Sequence, residues 1–244
     1  MTSNDSGVLF VVTGHHYTSA AAEAARSVAE TNPWLKIGIF SDQDIVDPIF
    51  QFVGRVNGAD SRCKHEYVIQ SPFANTLYLD SDVRVVSDLH DLFRLLEQYE
   101  MAGAHVRYRS SPRRLNKYKL DIPQAFPQVN CGVLLYRKCH AVDAMFQSWA
   151  ALYREGSFTR DQIPFREALW GSRVKFYAFA SEYNMRSIPL LPSKDPLPVI
   201  LHINALHSRS RLKRLWTHAL LMPVRARLRR FAKYGHKRVK PAPR

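Results

Sequence analysis

The chain of 244 residues has little cysteine, no long apolar run and, over its last stretch, no acid. Its three cysteines, Cys63, Cys131 and Cys139, are an odd number without paired or metal-like spacing. That points away from a disulfide scaffold and suits a reducing compartment. The longest apolar runs, such as Val8 to Val12 and Thr76 to Leu79, fall far short of the roughly 20 residues that a membrane-crossing helix needs. The opening MTSNDSG carries acid where a secretory signal carries base, and the apolar stretch after it is short, so a cytoplasmic location is expected. No internal repeat occurs, and no linker interrupts the chain before Ser208. Hydrophobic residues at 46% and charged residues at 23% are near globular averages. The length fits one sizeable domain.

The formal charge of +14 is unevenly spread. Of 35 Lys and Arg, 13 lie from Ser208 onwards, where there is no Asp or Glu, and the remaining 22 face all 21 acids. Residues 1–207 are therefore nearly neutral. A nucleic-acid-binding domain would spread base over a folded face, so nucleic acid is not the expected partner.

The pattern along the chain alternates. VLFVVT (Val8 to Thr13) reads as a buried strand, and AAAEAARSVAE from Ser19 as a helix that stops before Asn32-Pro33. KIGIF (Lys36 to Phe40) is a second strand, followed by an acidic turn over Ser41 to Asp47. Strand, helix and strand at this spacing predict a βαβ unit and a parallel sheet, with ligands at the carboxyl ends of its strands. A helix is expected over Arg62 to Gln70, a strand over Thr76 to Asp80 and a helix over Leu89 to Tyr99. Further strands are expected over Met101 to Val106 and Val129 to Tyr136, then helices over Ala141 to Arg154 and Asp161 to Trp170. Short strands near Val174 to Phe179 and Val199 to His202 complete one α/β domain.

The segment NTLYLDSDVRVVSDL puts Asp80 and Asp82 two residues apart where an apolar strand ends. In extended chain such side chains share a face. Two carboxylates held together repel unless a cation lies between them, and hard oxygen ligands suit Mg²⁺ or Mn²⁺. The same pattern also fits a solvated acidic turn. Elsewhere, Lys64 fits a surface lysine, Asp161 a helix N-cap, and His202 a core histidine on an apolar strand.

Taken in order, these segments resemble the nucleotide-sugar glycosyltransferases of the GT-A type, most closely glycosyltransferase family 8, the glycogenin-like group. In that family a first strand ends in a Thr and then a Tyr that contact uridine, and VVTGHHY offers Thr13, Gly14 and Tyr17. A basic residue on the helix ahead of the D-x-D is matched by Lys64 in SRCKHEYV. LYLDSDV matches the family's "lylDaDv" motif through Asp80, Ser81 and Asp82. The family's N-S-G-V strand is matched by Asn130, Cys131, Gly132 and Val133, with Cys in place of Ser. An Asp-Gln pair opening a helix is matched by Asp161 and Gln162. The third metal ligand, a His on a late strand, is matched by His202. These landmarks follow the family order over residues 8–208. The family's H-x-x-G-x-x-K-P-W stretch, whose Lys contacts diphosphate, departs here: His202 is followed by Ala205 and Ser208, without Gly or Lys. His207, Arg209 and Arg211 are the charges nearby in sequence.

The resemblance implies a GT-A fold, a Rossmann-like, mainly parallel sheet flanked by helices, over residues 1–207. It implies a metal-dependent transfer of a sugar from a nucleotide donor, UDP-linked, with retention at the anomeric carbon. Asp80, Asp82 and His202 would hold Mn²⁺ or Mg²⁺. Thr13, Gly14, Tyr17, Lys64, Asp80, Ser81, Asn130 and Gly132 would bind the donor. Asp161 and Gln162 would face the reacting sugar. The expected acceptor is a glycan or a lipid-linked glycan, and the basic stretch from Arg107 to Lys119 borders it in this family. Residues 208–244 form a basic tail in which Leu212, Leu215, Trp216, Ala219 and Leu220 make a helical apolar stripe. Such a helix fits an anionic membrane surface. Two other readings remain: a nucleotidyl- or sugar-phosphate transferase on a similar scaffold, and a catalytically silent body with a lipid- or nucleic-acid-binding tail.

Overall fold

The computed structural model describes residues 5–57, 63–106, 117–156, 158, 160–186 and 198–203. Strand β1 (Ser6–Val12) is buried at every position, which is why its sequence is continuously apolar rather than alternating. It leads through Gly14 into α1 (His15–Thr31), whose Ala20, Ala21, Ala24 and Ala25 are buried. These small side chains let the helix lie close on the sheet. Gly14 has φ of 80°, which glycine adopts without strain. The chain returns in β2 (Lys36–Ser41), parallel to β1, and continues into the parallel edge strand β3 (Phe52–Arg55).

Next come a short helix α2 (Lys64–Tyr67), tightened into a 3₁₀ turn over Val68–Gln70, and then β4 (Asn75–Leu79). β4 pairs parallel to β1 on the side away from β2. β5 (Val83–Val85) leaves the main sheet, and α3 (His90–Arg94) ends in a 3₁₀ turn over Leu95–Glu97. β6 (Met101–His105) and β7 (Val129–Arg137) follow, and then α4 (His140–Gly156), α5 (Gln162–Trp170), β8 (Phe176–Ala178) and β9 (Ile200–His202).

The seven-stranded sheet runs β3-β2-β1-β4-β7-β6-β8, with β7 antiparallel to both neighbours and the remaining pairs parallel. A small second sheet pairs β5 with β9. One core side holds Val8, Phe10, Ile37, Leu77 and Leu135 beneath α1 and α3. The other holds Leu9, Val11, Tyr78, Leu134 and Tyr136 beneath α4 and α5. Odd and even positions of one strand thus feed opposite cores.

The connection from β6 to β7 is fastened to α5 by two buried charges. The Glu167 carboxylate accepts the backbone N–H groups of Tyr118, Lys119 and Leu120. Arg166 donates from Nε to the Phe126 carbonyl at 2.7 Å and from Nη2 to that of Pro123 at 3.1 Å.

The expected α/β architecture is present, with differences of detail. The helices expected over Arg62 to Gln70 and Leu89 to Tyr99 each divide into a short α-helix and a 3₁₀ turn. β3 and β5 were not anticipated: β3 is a half-buried edge strand and β5 has three residues. The tail over 208–244 and basic residues 107–116 lie outside the described residues. Lys117 and Lys119 are described, and they pair with Asp121 and Glu155. No disulfide joins the cysteines, and among the described residues no helix is long and apolar enough to cross a membrane.

Candidate functional site

From β1 the chain winds to β2 and β3 on one side, then restarts at β4 on the other. In open α/β sheets the crevice where the order reverses, at the carboxyl ends of the strands, is where ligands bind. Thr13 and Gly14 follow β1 at this edge, and Asp80 follows β4. Tyr17, in the first turn of α1, is 54% exposed.

The dyad is held on both sides. The Asp80 N–H donates to the Gly132 carbonyl at 2.8 Å, which continues the β4–β7 ladder one step past the strand end. Beyond Asp82, β5 pairs antiparallel with β9, with Val83 opposite His202, and the Ile203 N–H donates to the Asp82 carbonyl at 3.0 Å. That register brings His202 beside the dyad. One ligand atom from each of Asp80, Asp82 and His202 lies within 4.8 Å of the others. His202 Nε2 is 3.0 Å from Asp82 Oδ1 and 3.8 Å from Asp80 Oδ2.

Two features of this cluster fit a divalent cation. A Cβ on residue 132 would sit 2.2 Å from His202 Cε1 and 2.4 Å from Asp80 Oδ2, so only glycine leaves these two side chains their positions. The partners of His202 are the second feature. Nδ1 faces Asn184 Oδ1 at 2.8 Å, while Nε2 faces both the Asp82 carboxylate and Arg186 Nη1, the latter at 2.9 Å. A proton on Nε2 satisfies Asp82 and opposes Arg186; a lone pair there does the reverse. A cation in place of that proton would need the neutral ring, with Nδ1–H donated to Asn184 and the lone pair on Nε2. Burial would raise the Asp82 pKa, but the hydrogen bond and charge of His202, with the Arg186 guanidinium, hold it below the usual carboxylate range.

Lys64 ties this cluster to the start of α5. Its ammonium lies 2.7 Å from Asp161 Oδ2 and 3.1 Å from Asp80 Oδ1, with a side chain 17% exposed. Burial lowers the pKa of Lys64, yet Asp161 and then Asp80 more than offset it, and the net shift is well above ordinary lysine. Lys64 is therefore a partly buried bridge between two acids, not a solvated surface residue. Asp161 stands at the N-cap position of α5 but makes no side-chain cap hydrogen bond. Its carboxylate is committed to Lys64 instead. Tyr78 adds a 2.6 Å hydrogen bond to Asp80 Oδ1, and burial followed by the Asp80 charge pushes the phenol pKa well up.

Of the remaining residues singled out in the sequence, Ser81 is buried between the two aspartates at 9% exposure. Asn130, also buried, accepts the Gly132 N–H through Oδ1 at 3.0 Å. Gln162 opens α5 directly after Asp161. Cys131 is buried, and its thiol pKa is raised by that burial and by Asp161.

Three residues at this edge were not picked out from the sequence. Asp42, just past β2, accepts the Gly14 N–H at 2.7 Å; burial raises its pKa, and that hydrogen bond together with those from Gln43 and its own backbone N–H and the charge of Arg55 brings it below the usual value. Its signal was present, an acid directly after the second strand of a βαβ unit. Asn184 and Arg186 had none, because a bridge between Met185 and Leu201 carries them to His202.

No protein family model matches the chain, and no curated protein matches it in sequence. Solved structures do match in fold. The glycosyltransferase GlyE of Streptococcus pneumoniae superposes with a TM-score of 0.61 at 21% identity, covering 97% of this chain and 65% of that one. The galactosyltransferase LgtC, solved in complex with donor and acceptor sugar analogues, gives 0.60 at 16% identity over 91% of this chain and 96% of that one. Mouse xyloside xylosyltransferase 1 gives 0.52 at 12% identity over 84% of this chain and 100% of its own.

The chain has the GT-A glycosyltransferase fold. It spans about 65% of the length of GlyE. On this GT-A scaffold the Asp80-x-Asp82 arrangement and His202 sit together at the carboxyl edge of the sheet, beside its switch point.

Proposed function

We propose that the protein is a metal-dependent glycosyltransferase that moves a sugar from a nucleotide donor, UDP-linked, to a glycan or lipid-linked acceptor. The observation that carries this reading is the meeting of Asp80, Asp82 and His202 over a glycine that leaves them room, on a GT-A sheet. The mixed oxygen and imidazole set suits Mn²⁺ as well as Mg²⁺. Such a cation supplies Lewis-acid neutralisation of the negative charge that grows on a departing nucleoside diphosphate.

The rest of the site does protein work. Thr13, Gly14 and Tyr17, beyond the end of β1, take the nucleoside. Ser81, Asn130 and Gly132 line the floor between β4 and β7 where the donor lies. Asp161 and Gln162 face the sugar and stabilise the positive charge that develops at its anomeric carbon. Lys64 holds the Asp161 carboxylate in an ion pair, and it supplies a positive charge of its own toward the donor phosphates. Retention at the anomeric carbon and kinship with family 8 are supported by the ordered sequence motifs. The amphipathic basic tail brings the enzyme to the cytoplasmic face of an anionic membrane, where a lipid-linked acceptor is at hand.

A calorimetric and thermal-shift screen against UDP-, GDP-, CDP- and TDP-sugars, with and without Mn²⁺, tests the donor. Metal-dependent stabilisation by UDP-sugars is expected. A folded protein indifferent to every nucleotide would overturn the reading. Analysis of the product for a transferred sugar, rather than a transferred sugar phosphate, separates glycosyl from phosphoryl transfer.

A further inference from the structure

The two oxygens of the Asp80 carboxylate meet different surroundings. Oδ1 accepts the Tyr78 hydroxyl at 2.6 Å and lies 3.1 Å from the Lys64 ammonium, which is 3.5 Å from Oδ2. Oδ2 lies 3.8 Å from His202 Nε2, and a Cβ on residue 132 would come within 2.4 Å of it. Of the two, Oδ2 therefore faces the histidine of the cluster. Tyr78 stands two residues before Asp80, on the same side of the chain, and is 1% exposed. Its ring belongs to the core that also holds Leu9, Leu134 and Tyr136, so burial of the ring fixes where the hydroxyl is presented.

We propose that Tyr78 is a positioning residue: by holding Oδ1 it makes Asp80 a one-oxygen ligand, through Oδ2, and so sets a preference for a small octahedral cation over Ca²⁺. This rests on the metal-dependent reading above and deepens it. Ca²⁺ takes more oxygens in looser geometry and accepts both oxygens of one carboxylate, whereas a smaller ion demands near-octahedral angles. The two oxygens of one carboxylate sit too close together to fill neighbouring corners of an octahedron without strain. A carboxylate whose Oδ1 accepts a hydrogen bond from a buried phenol is held from turning to present both. Partners standing behind a ligand in this way orient it and set the affinity of the site.

Calorimetric titration with Mn²⁺ alone and with Ca²⁺ alone, on the full chain and on its Tyr78→Phe and Tyr136→Phe variants, tests it. Tyr78→Phe removes one oxygen and keeps the buried ring, and it should bind Mn²⁺ about tenfold more weakly. Its Ca²⁺ affinity should hold or rise, so the ratio of the two affinities falls by that factor or more. Tyr136→Phe is the control for losing a buried phenol oxygen, because Tyr136 lies in the same core and donates to the Val68 carbonyl. It should lower the thermal midpoint and leave the ratio unchanged, and circular dichroism checks that both variants fold. A ratio unchanged in Tyr78→Phe, or lowered as much in Tyr136→Phe, would overturn the inference alone. An unaltered protein that takes up no Mn²⁺ would overturn the metal-dependent reading and this inference together.

Discussion

Asp82 is the residue on which the cation site turns. Its carboxyl is held below the usual range chiefly by His202, against the effect of burial. It therefore adds stability above its unfolded-state pKa that is lost as pH falls through the lower folded value. Asp82→Asn removes the charge and keeps the shape. We expect Mn²⁺-dependent donor binding to vanish, with the thermal midpoint shifted by only a few degrees; donor affinity equal to that of the unaltered protein would contradict the metal assignment. Gly132 makes the complementary case. Alanine there forces a methyl onto His202, which Asn184 holds, and onto the short side chain of Asp80. Gly132→Ala should cost about 1–3 kcal/mol and weaken Mn²⁺ affinity at least tenfold, read by denaturant titration and calorimetry.

At the scale of elements, two short pieces do more than their length suggests. β5 is only three residues long, yet its register with β9 is what sets His202 beside Asp82. α5 serves the site at one end and the β6–β7 connection along its length. Asp161 and Gln162 stand at its start, and buried Arg166 and Glu167 hold the loop backbone on either side of Asp121. Removing the Glu167 carboxylate leaves backbone N–H groups of residues 118–120 without their acceptor. Glu167→Ala should lower stability by about 2–4 kcal/mol in urea unfolding. Because that loop leads into the basic stretch expected to border the acceptor, the variant should raise KM for acceptor more than for donor.

The whole molecule divides by charge into a nearly neutral body and a strongly basic tail. On the proposed function, with each base contributing about 1 kcal/mol near an anionic surface, the tail would supply the membrane affinity and the body the chemistry. Deleting residues 208–244 should therefore abolish co-sedimentation with phosphatidylserine vesicles and leave Mn²⁺-dependent UDP binding within about twofold. Binding of the full chain to such vesicles should fall as salt is raised. A truncated protein that still sediments would place the lipid-binding surface on the body.

Much of this protein was legible in one dimension. Most of the order of strands and helices follows from periodicity, and the ligand edge, at the carboxyl ends of the strands, from a βαβ unit followed by a strand ending in two aspartates. Local chemistry was legible in part, because an acidic pair two residues apart stands out in the sequence but fits a solvated turn as well as a cation site. What only the tertiary structure decided is which of several possible roles each polar residue takes. Asp161 has the sequence of an N-cap and spends its carboxylate on Lys64 instead, a choice set by a residue 97 positions earlier in the chain. His202 reads as a core histidine until β5 pairs with β9. Asn184 and Arg186 carry no pattern at all, since their place beside His202 comes from a single isolated bridge between Met185 and Leu201. Hydrophobic periodicity is written along the chain, whereas a binding site is assembled across it, from side chains whose partners are chosen by strand register rather than by spacing.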